Sequence, residues 1–126
     1  MSNKFKADVF AAEIKITLDK YASDVTEAVK EAAVKSAELC RDEIKRIAPK
    51  KAGEYRKGWK IKTTFESVDG KTVTVYNDKR YELAHLLEFG HRKGNGTSDA
   101  PPHPHIYPAA AKAQEEFEKM IKKEAQ

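Results

Sequence analysis

YELAHLLEFGHRKGNGTSDAPPHPHIYP, from Tyr81 to Pro108, is the stretch that decides the fold. It holds all four histidines and four of the five prolines of the 126-residue chain. Adjacent Leu86 and Leu87 break the alternation of a strand but suit one face of a helix. The spacing predicts a short helix over residues 80–89, and Gly90 stands where a glycine that caps a helix C-terminus belongs.

A polar loop and a proline strip follow this helix. The segment HRKGNGTSDA offers no large apolar side chain, so residues 91–103 are expected to form a long, mobile Gly/Pro-rich loop. The strip APPHPH should be extended, because prolines fix their own torsion and restrict the residue before them. Pro108 is predicted to occupy the first position of a last helix that reaches about residue 124.

The segments on the N-terminal side are predicted to be mainly helical. Apolar and small residues at helical spacing predict a long helix over residues 23–48, and Pro49 ends it. Cys40 lies on its apolar face and is interpreted as a small buried hydrophobe. As the lone cysteine, it forms no internal disulfide. Before this helix, residues 1–8 are expected to be flexible and residues 9–19 to form a short helix.

Two strands are predicted between the long helix and the opening stretch. Residues 59–66 alternate apolar and polar side chains, and residues 71–77 do so again. A three-residue loop over residues 68–70 would place Phe65 opposite Val73 and bury both apolar rows on one face. A two-residue turn would put those rows on opposite faces, so the longer loop is preferred.

These elements predict one α+β domain over residues 1–126. Its long N-terminal and C-terminal helices pack on a small antiparallel sheet, with a short helix and a long Gly/Pro-rich loop. No apolar run approaches the ~20 residues of a membrane span. The N-terminus lacks the basic and apolar regions of a secretory signal. A cytoplasmic protein without a membrane partner is therefore expected.

The charge balance argues against a dedicated duplex-binding protein. The chain has 24 basic and 20 acidic residues, a formal net charge of +4, and the two signs are interleaved. Dedicated DNA binders carry a basic stripe. Lys50, Lys51, Arg56 and Lys57 form a basic rim after the long helix. It is interpreted as a solvated surface, with contact to DNA or to an acidic partner surface as the alternative.

The histidines raise the hypothesis of a metal site. His85, Glu88 and His91 are spaced three apart, and His103 and His105 are two apart, so together they could supply nitrogen and oxygen ligands for zinc. The competing facts are that no cysteine contributes, that no HExxH spacing occurs, and that His91 lies beyond the glycine cap. This cluster defines the alternative function, a small metal-binding or nucleic-acid-processing protein.

Catalytic motifs are absent from the sequence. It contains neither a GxSxG elbow nor the glycine spacing of a phosphate-binding loop or dinucleotide fingerprint. No catalytic residue, bound metal or cofactor is therefore expected, and the chain is predicted not to be an enzyme.

Three blocks of sequence carry a family resemblance: APKKAGEYRKGW (48–59), VYNDKRYELAHLLEFGH (75–91) and PHIYPAAAKA (104–113). Their order and spacing resemble the head–tail joining family of tailed phages and prophages. It is also called the minor tail component or tail-completion family, and its members are gene-product-ten-like. The resemblance covers residues 20–122. It implies a structural protein of the virion neck or tail, not an enzyme, that is made in the host cytoplasm. It also implies a homo-oligomeric ring that surrounds a DNA channel and lies between connector and tail proteins.

The resemblance also assigns expected roles to residues of the opening stretch. Glu88, Gly90 and His91 match one motif of the family, and His105 and Pro108 match the motif that opens the last helix. We expect these residues to anchor the loop for assembly. The Glu88 carboxylate should accept hydrogen bonds from loop backbone, and the two histidines should bind loop carbonyls. The loop is expected to become ordered only in the ring.

Overall fold

The computed structural model describes residues 5–9, 13–18, 26–50, 53–67, 70–92 and 99–125. Two long helices pack against each other and lie on one face of a four-stranded antiparallel sheet, which confirms the α+β class. In chain order the elements are β1 (Phe5–Val9), β2 (Glu13–Leu18), α1 (Thr26–Ile47), α2 (Gly53–Lys57), β3 (Trp59–Glu66), β4 (Lys71–Asn77), α3 (Leu83–Phe89), β5 (His91–Arg92), β6 (Asp99–Ala100) and α4 (Ile106–Ala125).

The N-terminal segment contains a pair of antiparallel strands, so the helix predicted over residues 9–19 is wrong, and residues 5–8 of the start that was expected to be flexible lie in the strand β1. β1 pairs antiparallel with β2, and β2 pairs in turn with β4, with Ile14 opposite Val75 and Ile16 opposite Val73. The alternation of Ile14, Ile16 and Leu18 therefore indicates the strand β2 correctly. β-Branched residues favour this setting, because they pack well on a pleated surface. Residues 1–4 lie outside the described part.

The sheet has the strand order β1-β2-β4-β3. The register predicted for β3 and β4 is wrong. Thr63, not Phe65, lies opposite Val73, and an irregularity between Thr63 and Phe65 places Phe65 opposite Thr72. Because neighbouring positions on β4 face opposite sides, this β-bulge turns Phe65 away from the helices. Its side chain is 55% exposed.

α1 ends at Ile47, just before Pro49, as predicted, whereas its expected start at residues 23–25 lies outside the described part. Its buried face is made mostly of small residues, which lets the sheet and α4 approach closely. Cys40 is fully buried there, as predicted. Burial, together with the nearby charge of Glu43, raises the pKa of its thiol to about 12. The thiol therefore stays protonated and unreactive at neutral pH.

The hydrophobic core lies between the helices and the inner face of the sheet. Fully buried Trp59 and Val75 come from the sheet, and Ile44 and Phe117 come from α1 and α4. Most of the other core residues are alanines, and six of these alanines lie in the two long helices. Tight helix–helix packing therefore supplies much of the buried apolar surface.

The segment between α1 and β3 contains the short helix α2. Its Tyr55 is fully buried. Gly58 follows α2 and lies so close to the end of β4 that an added Cβ would stand 2.5 Å from Asn77 Oδ1. A glycine at this junction therefore allows the chain between α2 and β3 to pack closely against Asn77 and Lys79, at the turn that follows β4.

The opening stretch folds as α3, a two-stranded ribbon and the start of α4. Gly90 adopts φ 79° and donates its N–H to Leu86 O at 2.9 Å, which ends α3 as predicted. α4 begins at Ile106, two residues earlier than predicted from Pro108. Proline is tolerated there because an N–H group in the first turn of a helix has no intrahelical acceptor, so the N–H that proline lacks costs no hydrogen bond within the helix.

The loop predicted to be mobile over residues 91–103 is paired at its base within a single chain. β5 and β6 form an antiparallel ribbon, with His91 opposite Ala100 and Arg92 opposite Asp99. The ordering of the loop in a ring stays a prediction, and residues 93–98 lie outside the described part. None of the helices in the described ranges has the length and apolar character of a membrane crossing.

Candidate functional site

The carboxylate of Glu88, near the end of α3, caps the N-terminus of α4. Its Oε1 accepts the backbone N–H of His105 and of Ile106, both at 2.8 Å, and its Oε2 accepts the N–H of Tyr107 at 3.1 Å. The first N–H groups of a helix have no intrahelical acceptor. Pro108, the next residue, has no N–H. One side chain thus satisfies every available donor in the first turn of α4.

This arrangement is electrostatically favourable as well as geometrically complete. Glu88 is 3% exposed, so its charge is nearly removed from water. The positive end of the α4 dipole and the three donated N–H groups compensate that charge. A hydrogen bond to a charged group contributes more to stability than a neutral one, and removing the Glu88 carboxylate would leave its donors unsatisfied.

His105 extends the cap into the core. Its ring is fully buried, and its Nε2 lies 2.6 Å from the Tyr55 hydroxyl. Its Nδ1 lies 2.7 Å from the His103 carbonyl oxygen and 3.0 Å from Glu88 Oε1. The contacts fit a neutral ring that donates from Nδ1 and accepts at Nε2 from the tyrosine. Burial lowers the pKa of His105, partly opposed by the His103 carbonyl and Glu88.

Tyr55 joins this polar group to the aromatic core. Its ring packs edge-on against His105, with centroids 5.5 Å apart, and against Trp59 at 5.7 Å. Burial raises the pKa of Tyr55, so the hydroxyl remains a hydrogen-bond donor. Edge-to-face aromatic pairs add about 0.5–1.5 kcal/mol beyond burial alone. The start of α4 is therefore fixed to α2 and β3 as well as to α3.

His103 connects the proline strip to two further helix ends. Its backbone N–H donates to Leu87 O in α3 at 2.8 Å, and its Nε2 lies 2.6 Å from Ile47 O at the end of α1. Carbonyls in the last turn of a helix lack intrahelical donors. The backbone and the imidazole of one residue each satisfy such a carbonyl. We call Glu88, His103 and His105 the clamp, since together they hold the ends of α1, α3 and α4.

Tyr55 and Asn77, which the sequence did not assign to the candidate site, support the clamp. Asn77 donates from Nδ2 to Tyr55 O at 2.7 Å, and its Oδ1 accepts the N–H groups of Lys79 and Arg80. This side chain fixes α2 against the turn that leads to α3. The four-residue spacing of Tyr55 and Trp59, two aromatics in a polar segment, was the available signal.

Two exposed aromatic side chains lie on the outer side of the clamp. Phe89 and Tyr107 are each 49% exposed, and their ring centroids are 5.8 Å apart. Pro104 and Pro108, also exposed, flank Tyr107 along the chain. We call these four residues the aromatic–proline surface. It lies at the base of the β5–β6 ribbon.

The basic rim is only partly described. Lys50 and Lys57 are exposed, and Lys51 lies outside the described residues. Arg56 is half-buried and donates from Nε to Lys45 O at 3.0 Å, so it rests against the end of α1.

The described side chains give the metal hypothesis no supporting geometry. Both ring nitrogens of His105 are engaged by protein groups, and Nε2 of His103 points at a carbonyl oxygen. Within the described ranges, no group of three or more histidine, cysteine, aspartate or glutamate residues is placed to hold a metal ion. The side chains of His85 and His91 lie outside the description, so neither is assigned a contact.

Comparison with known proteins identifies the family. Residues 12–90, more than half of the chain, match the model of the family HK97-gp10_like, described as "Bacteriophage HK97-gp10, putative tail-component". The match runs from the start of β2 to Gly90 and so includes Glu88. No curated protein and no solved structure matches the chain. The resemblance seen in the sequence is confirmed, and the chain belongs to the HK97-gp10-like family of bacteriophage tail components.

Proposed function

We propose that this protein is a structural component of the phage neck that joins or completes the tail at the head–tail interface, as a homo-oligomeric ring. Family membership supports a role in the tail. The proposal adds the position in the virion, the ring and its neighbours, which are connector and tail proteins. The protein would be made in the host cytoplasm, would need no cofactor and would catalyse no reaction.

The observation that carries the ring proposal is the aromatic–proline surface beside the clamp. Aromatic side chains are enriched at protein interfaces. Phe89 and Tyr107 are half-exposed, so a neighbouring subunit that covered them would remove further apolar surface from water. The clamp holds the Tyr107 backbone through Glu88. A surface that is already rigid loses little conformational entropy on docking.

The β5–β6 ribbon supports the same proposal. It lies between α3 and α4 in the chain, so its paired base follows the end of one helix and precedes the start of the next. In a closed ring each subunit presents one surface to the neighbour ahead and a different one to the neighbour behind. We infer that the ribbon of one subunit reaches the aromatic–proline surface of the next.

The test is the double variant Phe89→Ala/Tyr107→Ala, introduced into the phage or inducible prophage that carries the gene. Both side chains are exposed, so the chain should fold normally. We expect DNA-filled heads and free tails to accumulate and infectious titre to fall by orders of magnitude. The matched control is Tyr81→Ala, because Tyr81 is 65% exposed and lies outside the surface. Wild-type titre from the double variant, or absence of the protein from purified virions, would contradict the proposal.

A further inference from the structure

A cavity of about 260 Å³ lies where the end of α1 meets α2. It is lined by Lys45, Gly53, Arg56 and Lys57, so three of the four lining residues are cations and none is acidic. An added Cβ at Gly53 would meet nothing within 4 Å, which leaves that side of the cavity open. The shape and charge therefore suit a small anionic group that enters from solvent.

The cations of this cavity lack acidic partners, unlike most others in the described residues. Many basic side chains elsewhere form ion pairs, for example Lys60 with Asp78 at 2.6 Å and Lys112 with Glu43 at 3.2 Å. The three cations of the cavity are Lys45, Arg56 and Lys57. Among the described residues, none of the three forms an ion pair. Uncompensated positive charge in a concave site attracts anions more strongly than an isolated surface lysine does.

Arg56 is oriented before any ligand arrives. Its Nε donates to Lys45 O at 3.0 Å, and among the described residues its two terminal nitrogens have no protein acceptor. The bond fixes the plane of the guanidinium and leaves the outer fork free. A guanidinium fork matches two oxygens of a phosphate, which is why arginine is favoured where phosphate is bound with defined geometry.

We propose that this cavity binds a backbone phosphate of double-stranded DNA, with Arg56 as the oriented contact and Lys45 and Lys57 as flanking charges. The proposal deepens the proposed function, since it supplies a residue-level contact between a neck ring and the DNA in its channel. The contact carries no sequence preference, because it involves phosphate and not base edges. One phosphate contact per subunit gives weak binding. A ring would repeat this contact around the duplex and so increase the overall affinity.

The experiment measures binding of a short fluorescent DNA duplex to the isolated full chain by anisotropy, at several salt concentrations. The site variant is Lys45→Gln/Arg56→Gln/Lys57→Gln. The matched control is Lys119→Gln/Lys122→Gln/Lys123→Gln, which removes three exposed positive charges from α4. We expect the site variant to lose about tenfold or more in affinity at low salt, and the magnitude of its salt slope to fall by about 1, as for the loss of one phosphate contact.

Further outcomes decide the role of Arg56 and separate this site from the ring proposal. Arg56→Lys keeps the charge but removes the fork, and its affinity for DNA should fall between those of the wild type and Arg56→Gln.

Equal losses of affinity in the site and control triple variants would overturn the proposal. No detectable binding at low salt, or unchanged binding by the folded site variant, would also overturn it. A site variant that binds DNA normally but fails to enter virions would assign the cavity to an acidic protein partner instead. Binding to DNA is measured without virions, so it can succeed or fail independently of the neck role.

Discussion

Glu88 does for α4 what a capping residue ordinarily does for its own helix. Sequence rules look for serine, threonine, aspartate or asparagine directly before the first turn. Here the position before α4 is His105, and the capping carboxylate lies 17–19 residues earlier in the chain. The sequence predicted that Glu88 accepts backbone N–H groups, but it placed the helix start at Pro108, because a cap supplied by another helix leaves no local signal.

Replacing Glu88 tests the strength of this cap. Glu88→Ala leaves two buried N–H groups and one partly buried N–H group at the α4 terminus without their acceptor, and we expect it to lower the free energy of unfolding by about 1–3 kcal/mol. Chemical denaturation followed by circular dichroism measures the change. The control is Glu82→Ala, an exposed glutamate just before α3, which should change stability by less than about 0.5 kcal/mol. Equal stability of the Glu88 variant and the wild type would show that the cap contributes nothing.

The buried ring of His105 predicts a loss of stability in mild acid. A histidine in an unfolded chain titrates near pH 6.5. Burial lowers the pKa of His105 in the folded protein, so the unfolded chain takes up the proton first as the pH falls. This contribution is complete above about pH 6.5 and is lost progressively below it.

Denaturation at pH values from about 7.5 to 5.5 measures this effect, since most carboxylates remain ionised over that range. We expect the wild type to lose stability steadily toward the acid end. His105→Gln should be less stable throughout but should show a flatter dependence on pH, because the titrating group is gone. A variant with the same slope as the wild type would assign the pH dependence to other groups.

At the scale of elements, the junction between α2 and β3 is the part that local patterns described least well. Its sequence is a glycine-containing polar segment in which only the spacing of Tyr55 and Trp59 indicated burial, and the structure packs Tyr55 into the core there. The β3–β4 register failed for a related reason. Alternation tells which residues share a face, but it gives no sign of the bulge that excludes Phe65 from the core.

Two glycines in this junction make a matched pair of substitutions. Gly58→Ala places a methyl group 2.5 Å from Asn77 Oδ1 and 2.8 Å from Lys79 Cβ. We expect a loss of about 1–3 kcal/mol, as for overpacking, because Asn77 Oδ1 already holds two N–H groups of the next turn.

Gly53→Ala provides the comparison, since its added Cβ meets nothing within 4 Å. Alanine also favours a helix over glycine, so this change should be neutral or stabilising by up to about 1 kcal/mol. Thermal melts of both variants measure the difference. Similar melting temperatures for the two variants would mean that the close approach at Gly58 relaxes without cost.

At the scale of the whole molecule, the sequence predicted the α+β class, both long helices and the glycine that ends α3. These features depend on periodicity and on glycine and proline chemistry, which are local. The N-terminal pair of strands was missed because its evidence is non-local. The alternation of Ile14 and Ile16 becomes decisive only beside Val75 and Val73 in β4. The clamp likewise joins residues from three helix ends, and no spacing rule connects them.

The clamp has a consequence for how the chain tolerates being cut. α4 is held by Glu88, by the buried contacts of Ala113 and Phe117, and by packing against α1, in addition to its covalent connection through the ribbon. A protease recognition sequence inserted between Lys93 and Ser98 would therefore yield two fragments that complement each other. We expect them to co-elute from a sizing column in native buffer, to separate in denaturant, and to separate more readily with Glu88→Ala. Elution of the α4 fragment alone in native buffer would contradict this. The peptide link serves mainly to keep the two pieces at a high local concentration.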